Sequence, residues 1–261
     1  MDSVELKTYF LMALAGAECG ITGVFVFLLN IPIVGVAIAH AAMAGGIWGA
    51  VAGVEPKLAA LFAAFVPAAA AGPASERSRV NPNITLAVIF SLAMALAYLG
   101  VSRLPQGSAL SYLWGSVFLA SLTDMAYIAV VLAACAAVIW AFFREISAVL
   151  FNREIAAAAG INDTFILYLM LFMTGAVVAV NLNIIGGLML FSLVITPPAI
   201  AFQLTRDLKR FFLISALTGA ITGICGAGLS FLLNWPVSSS VVIMNTAVFV
   251  LAALISNKNR I

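Results

Sequence analysis

The stretch YFLMALAGAECGITGVFVFLL, residues 9–29, decides the fold class of this chain. It is apolar apart from Glu18, and a helix of about 20 apolar residues crosses a bilayer core of about 30 Å. The rest of the sequence has the same character, since 64% of the 261 residues are hydrophobic and 8% are charged. A soluble fold could not cover its surface with so few polar side chains. The sequence therefore predicts an all-α, polytopic bundle of membrane-spanning helices.

Breaks at charged residues, prolines and Asn/Gly clusters divide the chain into nine apolar spans, with eight or ten as alternatives. The fifth apolar run is too long for one straight pass. We expect Ser111–Ser121 to form a short re-entrant or interfacial piece, and the span itself to run from about Asp124 to Phe143. The nine runs are 9–29, 33–54, 58–74, 84–101, 112–143, 164–182, 186–202, 211–232 and 238–256.

The orientation follows from the excess of Lys and Arg in cytoplasmic loops. Nine of the twelve Lys and Arg residues fall into one alternating set of loops, which we expect to be cytoplasmic. This places the N-terminus outside and the C-terminus in the cytoplasm. The cytoplasmic set is Arg77, Arg79, Arg144, Arg153, Arg206, Lys209, Arg210, Lys258 and Arg260, and the other set is Lys7, Lys57 and Arg103.

Residues 1–261 are expected to form a single transmembrane domain. The longest predicted cytoplasmic connection, Arg144–Asp163, contains neither a phosphate-binding glycine loop nor a catalytic constellation. The chain is therefore not expected to be an enzyme, and its energy must come from an ion gradient or a partner. A net charge of +2 excludes a nucleic-acid binder. Cys19, Cys135 and Cys225 stand alone in apolar runs, so no disulfide framework is expected.

Glu18 and His40 are the ionisable residues predicted to lie deepest in the membrane. At 1.5 Å per residue, Glu18 lies about 14 Å from the outer surface and His40 about 10 Å from the inner end of its span. The two then reach similar heights on consecutive antiparallel helices. A carboxylate and an imidazole bind first-row divalent ions and can also pass protons. The alternatives are a core histidine hydrogen-bonded to its surroundings, and a neutral acid bonded to a neighbouring helix.

A second polar cluster lies in the sixth and seventh spans. Asn181, Asn183 and Thr196 stand close in sequence to the pair Pro197-Pro198. Prolines inside an apolar span free backbone carbonyls, and such breaks often line a substrate path. We therefore expect Asn183 and Thr196 to face that path, with a plain helix kink as the alternative.

Several segments, taken in order, resemble the permease subunits of bacterial and archaeal ABC transporters for zinc, manganese and iron(II). One of them matches a motif that ends in a histidine, here Gly35 to His40 (GVAIAH). The resemblance extends over roughly nine-tenths of the chain. The other matching segments are Gly20–Leu28, Ile31–Gly45, Glu76-Arg77, Ile89–Leu96 (IFSLAMAL), Tyr112–Ser116 (YLWGS), Asn152–Ile161 (NREIAAAAGI) and Gly186–Ala201 (GGLMLFSLVITPPAIA).

The resemblance implies a subunit of the cytoplasmic membrane that works as a homodimer. Each copy would bind a cytoplasmic ATP-binding subunit, which hydrolyses the ATP, and an extracytoplasmic metal-binding protein would deliver the cargo. The transported ion would be a divalent metal, with no covalently bound cofactor. The segment Asn152–Gly160 would be the coupling helix that seats in the ATP-binding subunit. Its residues expected to act in coupling are Asn152, Arg153, Glu154, Ala157 and Gly160.

This sequence departs from the family pattern at three acidic positions, which are Val36, Asn83 and Ser116 here. Val36 lies one helical turn from His40 on the same face, so the family acid missing there would have been a metal ligand. Glu18 on the adjacent helix is our own candidate to replace it. The alternatives are a permease of the same fold for a non-metal substrate and a proton-coupled secondary carrier.

Overall fold

The computed structural model of the chain describes residues 3–78, 80–104 and 117–256. Ser116, Arg79, Lys258 and Arg260 lie outside the described residues, as does most of the predicted re-entrant piece. Within the described ranges the regular structure is entirely helical. The helices are α1 Ser3–Leu28, α2 Pro32–Ala52, α3 Pro56–Ser78, α4 Pro82–Val101, a 3₁₀ turn Val117–Leu119, α5 Leu122–Ala141, α6 Phe143–Phe151, α7 Arg153–Ala158, α8 Asp163–Ile185, α9 Gly187–Leu204, α10 Leu208–Leu233 and α11 Val237–Ile255.

The nine predicted spans correspond to the nine long helices of the described residues, so the predicted all-α bundle is confirmed. Eight of these helices are long and apolar enough to cross a membrane. The ninth, α3, has an apolar section, Pro56–Ala70, that is shorter. The fifth span begins at Leu122, close to the expected Asp124. The orientation of the termini remains a prediction.

Local sequence explains where several helices begin and end. Pro32 and Pro82 occupy first turns, where a missing N–H breaks no hydrogen bond. Ser121 and Asp124 form a reciprocal capping box at the start of α5. Gly53 ends α2 in the left-handed conformation, with φ +72°, which costs glycine nothing. Polar caps and turn-forming residues therefore set the lengths of these helices.

The helices divide into two packed groups that α8 joins. In one group, α1 packs against α9 and α10, and α11 packs against the same two helices. In the other group, α2 packs against α3 and α4. The connecting helix α8 contacts α1, α2, α3, α5 and α9. A side chain on α8 can therefore meet residues of either group.

Glycine permits the close approach of α1 and α10. A Cβ atom added to Gly16 would lie 2.1 Å from the carbonyl oxygen of Gly219, and one added to Gly20 would lie 2.4 Å from that of Ser215. The Ser215 hydroxyl also donates to the Gly20 carbonyl across the interface at 2.6 Å. Small residues and interhelical hydrogen bonds drive helix association in lipid, because lipid tails are as apolar as the helix surfaces and no hydrophobic driving force acts between the helices. These contacts hold α1, which carries Glu18 between Gly16 and Gly20, directly against α10.

Candidate functional site

Glu18 lies in the interior of the bundle and is paired with an amide from α8. Its side chain has 0% exposure, and so does that of Asn181. The Nδ2 of Asn181 donates to Oε2 of Glu18 at 2.7 Å. This contact joins α1 to α8, the helix that connects the two packed groups. Asn181, which sequence analysis assigned to a different polar cluster, is therefore the partner of the deep acid.

The Glu18–Asn181 pair is incompletely satisfied. Asn181 Nδ2 makes a second hydrogen bond, to the Val177 carbonyl at 2.9 Å. Neither Glu18 Oε1 nor Asn181 Oδ1 has a hydrogen-bond partner among the described residues. Buried polar atoms in proteins are nearly always paired, so two adjacent exceptions need a physical reason.

His40 is half-buried on α2, and its ring is oriented from two sides. Its Nδ1 lies 2.8 Å from the carbonyl oxygen of Val36, and its ring meets that of Phe90 on α4 edge-on, with centroids 4.7 Å apart. A carbonyl oxygen only accepts, so Nδ1 carries the hydrogen. In the neutral ring this leaves the lone pair on Nε2, which is the form that binds a metal.

The hydrogen-bond partners of Glu18 and His40 are different residues on different helices. Glu18 meets α8, whereas His40 bonds within its own helix and contacts α4. Across the residues that the structure describes, no group of three or more His, Cys, Asp or Glu side chains is placed to hold a metal ion. The described residues therefore offer at most two such side chains at any one point.

The two residues predicted to face a substrate path lie on consecutive helices, and the prolines beside Thr196 do not break its helix. Asn183 belongs to α8, and Thr196 is half-buried on α9, which continues through Pro197 and Pro198. Because Pro198 has no N–H, it cannot bond to the carbonyl of Val194, four residues earlier. That carbonyl oxygen lies against α1, 1.9 Å from where a Cβ of Gly23 would be. The freed backbone oxygen is thus covered by glycine.

The predicted coupling segment forms a short helix with a cap at each end. The Asn152 side chain accepts from the backbone N–H of Ile155 at 3.0 Å and so caps the N-terminus of α7. At the other end Gly160 has φ +84°. Its N–H donates to the carbonyl of Ala157, and that of Ile161 donates to the carbonyl of Ala156, each at 3.0 Å. These two bonds form a Schellman motif, which makes α7 a defined unit despite its length.

Most of α7 projects from the bundle. Only Ala156 is buried, with 2% exposure, whereas the Ile155 side chain is 60% exposed. Arg153 makes two hydrogen bonds to Oδ2 of Asp163 at the start of α8, at 2.7 and 3.1 Å. The segment therefore combines a fixed attachment with an exposed, partly apolar outer face. Such a face is suited to contact with another protein.

The prediction of a membrane transport subunit is tested by comparison with known proteins. Residues 2–256 match the ABC 3 transport family. This chain belongs to the ABC 3 transport family. It is accordingly a multi-pass permease subunit of an ABC transporter and resides in the cytoplasmic membrane, as the sequence predicts.

Relatives of this ABC 3 chain carry names that refer to metals. The manganese transport system membrane protein MntC of Halalkalibacterium halodurans is 27% identical over 248 residues, covering 94% of this chain and 85% of that protein. The chelated iron transport system membrane protein YfeC of Yersinia pestis is 24% identical, covering 97% of this chain and 87% of that protein. Both relatives are matched over nearly their whole length.

The fold of this ABC 3 chain is also that of a solved transporter. PsaBC from Streptococcus pneumoniae, in complex with Fab, has a TM-score of 0.90 at 23% identity, covering 100% of this chain and 94% of that chain. At this level of identity the likeness establishes the fold alone. The arrangement of helices around Glu18 and α7 is thus shared with this solved structure.

A cavity of about 570 Å³ in the ABC 3 chain lies apart from the predicted metal residues. It opens between α1, α5, α6 and α10 and is lined almost wholly by apolar side chains, with Lys209 as its charged residue. An apolar wall offers no ligand to a cation, and the one charge there would repel it. We therefore do not assign the cargo to this cavity.

Proposed function

We propose that this chain is the permease subunit of an ATP-driven importer for a divalent transition-metal ion. The observation that carries the proposal is the family match over residues 2–256, with relatives named for manganese and iron transport. Two copies of the chain would form the membrane path. A cytoplasmic ATP-binding subunit would supply the energy, and an extracytoplasmic protein would deliver the ion.

The exposed helix α7 supports the energy source in this proposal. Its caps hold it as a rigid unit, and its ion pair to Asp163 ties it to α8. Closure of the ATP-binding subunits would press on α7 and move α8, which contacts both packed groups. Asn152, Arg153 and Gly160 would keep the shape of the helix. Glu154 and Ala157, both exposed, would present the contact surface.

His40 and Glu18 are the residues proposed to meet the ion. The ring of His40 is held by Val36 and Phe90 with Nε2 left to accept a metal. Glu18 supplies the negative charge in the bundle interior. Asn183 and Thr196 are proposed to lie along the path.

The test is uptake by the complete transporter in proteoliposomes, with Mn²⁺, Fe²⁺ and Zn²⁺ supplied separately. His40→Ala is expected to lower uptake about ten- to hundred-fold, which is typical for the loss of a group that orients or binds a metal. Trp48→Phe is the matched control, because it also loosens α2 from α4 by removing the bond from Trp48 Nε1 to the Leu96 carbonyl at 2.9 Å.

Three outcomes separate the alternatives. Uptake of none of the metals by the wild type would favour a non-metal substrate. Uptake that stops when the proton gradient collapses while ATP remains would favour a secondary carrier. Equal uptake by His40→Ala and Trp48→Phe would exclude His40 as a ligand.

A further inference from the structure

Glu18 is a buried carboxylate without a counter-charge. Placing an ionised acid at the bilayer centre costs about 2.5–3.5 kcal/mol on insertion scales, and such residues normally pair with one another or face a polar path. In the described ranges the ion pairs are Lys57–Asp124 and Arg153–Asp163, both away from Glu18. Among the described residues, the side chain that bonds to its carboxyl group is the neutral amide of Asn181. None of the described cationic side chains is therefore paired with Glu18.

The orientation of the Asn181 amide is determined by its two partners. Glu18 Oε2 and the Val177 carbonyl both accept hydrogen bonds, and Asn181 Nδ2 lies 2.7 Å from the first and 2.9 Å from the second. The nitrogen must occupy this position, because an amide oxygen there would face two acceptors. Both N–H groups are used, so Oδ1 is left as an unpaired acceptor.

The site thus presents two unpaired oxygen atoms on neighbouring helices, one of them on a carboxyl group that loses its proton when it binds a metal. A bound cation would satisfy both oxygens and also supply the missing counter-charge. We propose that Glu18 Oε1 and Asn181 Oδ1 bind the transported divalent cation between α1 and α8. This inference rests on the proposed function and adds Asn181 as a ligand that the sequence motifs do not contain.

The chemistry of the two ligands selects among cargo ions. Carboxylate and amide oxygens suit Mg²⁺, Ca²⁺ and Mn²⁺, whereas thiolates favour Cu⁺ and Zn²⁺. The oxygen pair at Glu18 and Asn181 therefore favours Mn²⁺ over Zn²⁺ among the metals proposed as cargo, whereas the imidazole of His40 suits zinc and iron as well.

The key variant is Glu18→Gln, which removes the charge but keeps the shape. Its side-chain oxygen can still accept from Asn181 Nδ2, so the hydrogen bond that joins α1 to α8 is retained. A second variant, Asn181→Leu, removes the candidate ligand Oδ1 at nearly the same side-chain size and leaves the carboxyl group of Glu18 in place.

A chemically similar pair elsewhere in the bundle supplies the control. Asn245 on α11 donates through Nδ2 to the Ser192 hydroxyl on α9 at 2.9 Å, both residues are buried, and Asn245 Oδ1 is also unpaired. This pair carries no charge. Ser192→Ala therefore reports the effect of losing a buried interhelical hydrogen bond without altering a carboxylate.

The experiment measures Mn²⁺ uptake by the complete transporter in proteoliposomes, together with the thermal unfolding midpoint of each variant. We expect Glu18→Gln to lower kcat/KM for Mn²⁺ about ten- to hundred-fold at an unchanged midpoint. Asn181→Leu should lower kcat/KM for Mn²⁺ to a similar extent, because it removes the second ligand. Ser192→Ala should leave kcat/KM within about two-fold of the wild-type value.

The outcomes distinguish this inference from the proposed function. If wild-type proteoliposomes take up Mn²⁺ and Glu18→Gln does so equally well, the site is overturned while the importer stands. A loss in Glu18→Gln together with wild-type uptake in Asn181→Leu would overturn Asn181 as a ligand. If the wild type takes up no divalent metal, it is the proposed function that fails.

Discussion

Replacing Gly16 by alanine should separate α1 from α10. The added Cβ would lie 2.1 Å from the Gly219 carbonyl oxygen and 2.5 Å from its carbon, whereas ordinary contacts lie at 3.4–4 Å. The obstacle is backbone on a facing helix, so no side-chain rotation can relieve it. The two helices must therefore move apart, and Glu18, two residues further along α1, must move with them.

The expected destabilisation is that of an overpacked interior, about 1–3 kcal/mol. For a chain of this size each kcal/mol lowers the unfolding midpoint by about 2–4 °C, so the midpoint should fall by about 2–12 °C. Alanine is intrinsically the better helix former by up to about 1 kcal/mol. This gain offsets part of the steric cost, so a fall in the midpoint would be a lower limit on that cost.

Thermal unfolding of the purified permease in detergent measures this midpoint. Gly35→Ala is the matched control, because Gly35 is also a buried glycine inside a helix, but its added Cβ would lie 3.7 Å from a Val194 methyl group, an ordinary contact. That variant should leave the midpoint unchanged or raise it. Equal midpoints for Gly16→Ala and Gly35→Ala would refute the close-contact explanation.

The helix α7 gives two further predictions. Gly160→Ala places a side chain at φ +84°, which costs about 1–2 kcal/mol locally. This variant should reduce co-purification of the ATP-binding subunit. The control, Gly53→Ala, introduces the same strain at φ +72° on another loop and should leave co-purification unchanged. An equal loss in both would contradict a coupling role. Arg153→Gln breaks the exposed ion pair to Asp163 and should change stability by no more than about 1 kcal/mol, measured by thermal unfolding in detergent. A larger loss would mean that this pair helps to hold the bundle together.

The helices could be predicted from the sequence because lipid imposes a minimum length on each apolar run. The third span was expected at 58–74 and forms Pro56–Ser78, which differs mainly at the C-terminal end. The segment Asn152–Gly160 was expected from the family resemblance to form a short helix, and a helix capped by Asn152 and Gly160 lies there, whereas its coupling role stays a prediction. Both features are local, and each depends on a few neighbouring residues.

The partner of Glu18 could not be predicted in this way. Depth along a helix follows from the rise per residue, and it placed Glu18 near the height of His40. The direction in which a side chain points depends instead on which faces pack together. Here Gly16 and Gly20 hold α1 against α10, and Glu18 meets Asn181 on α8. A contact between residues 163 positions apart is a property of the packed bundle.

Backbone contacts on two sides of α1 restrict how the transporter can change shape. Gly23 lies against the freed carbonyl of Val194 on α9, and Gly16 and Gly20 lie against carbonyls of α10. Sliding α1 past either neighbour would drive backbone into backbone or expose an unpaired oxygen to hydrocarbon. These contacts favour movement of α1, α9 and α10 together. The side-chain contact between Glu18 and Asn181 is not locked in this way, so a transport cycle can lengthen and shorten it at little steric cost.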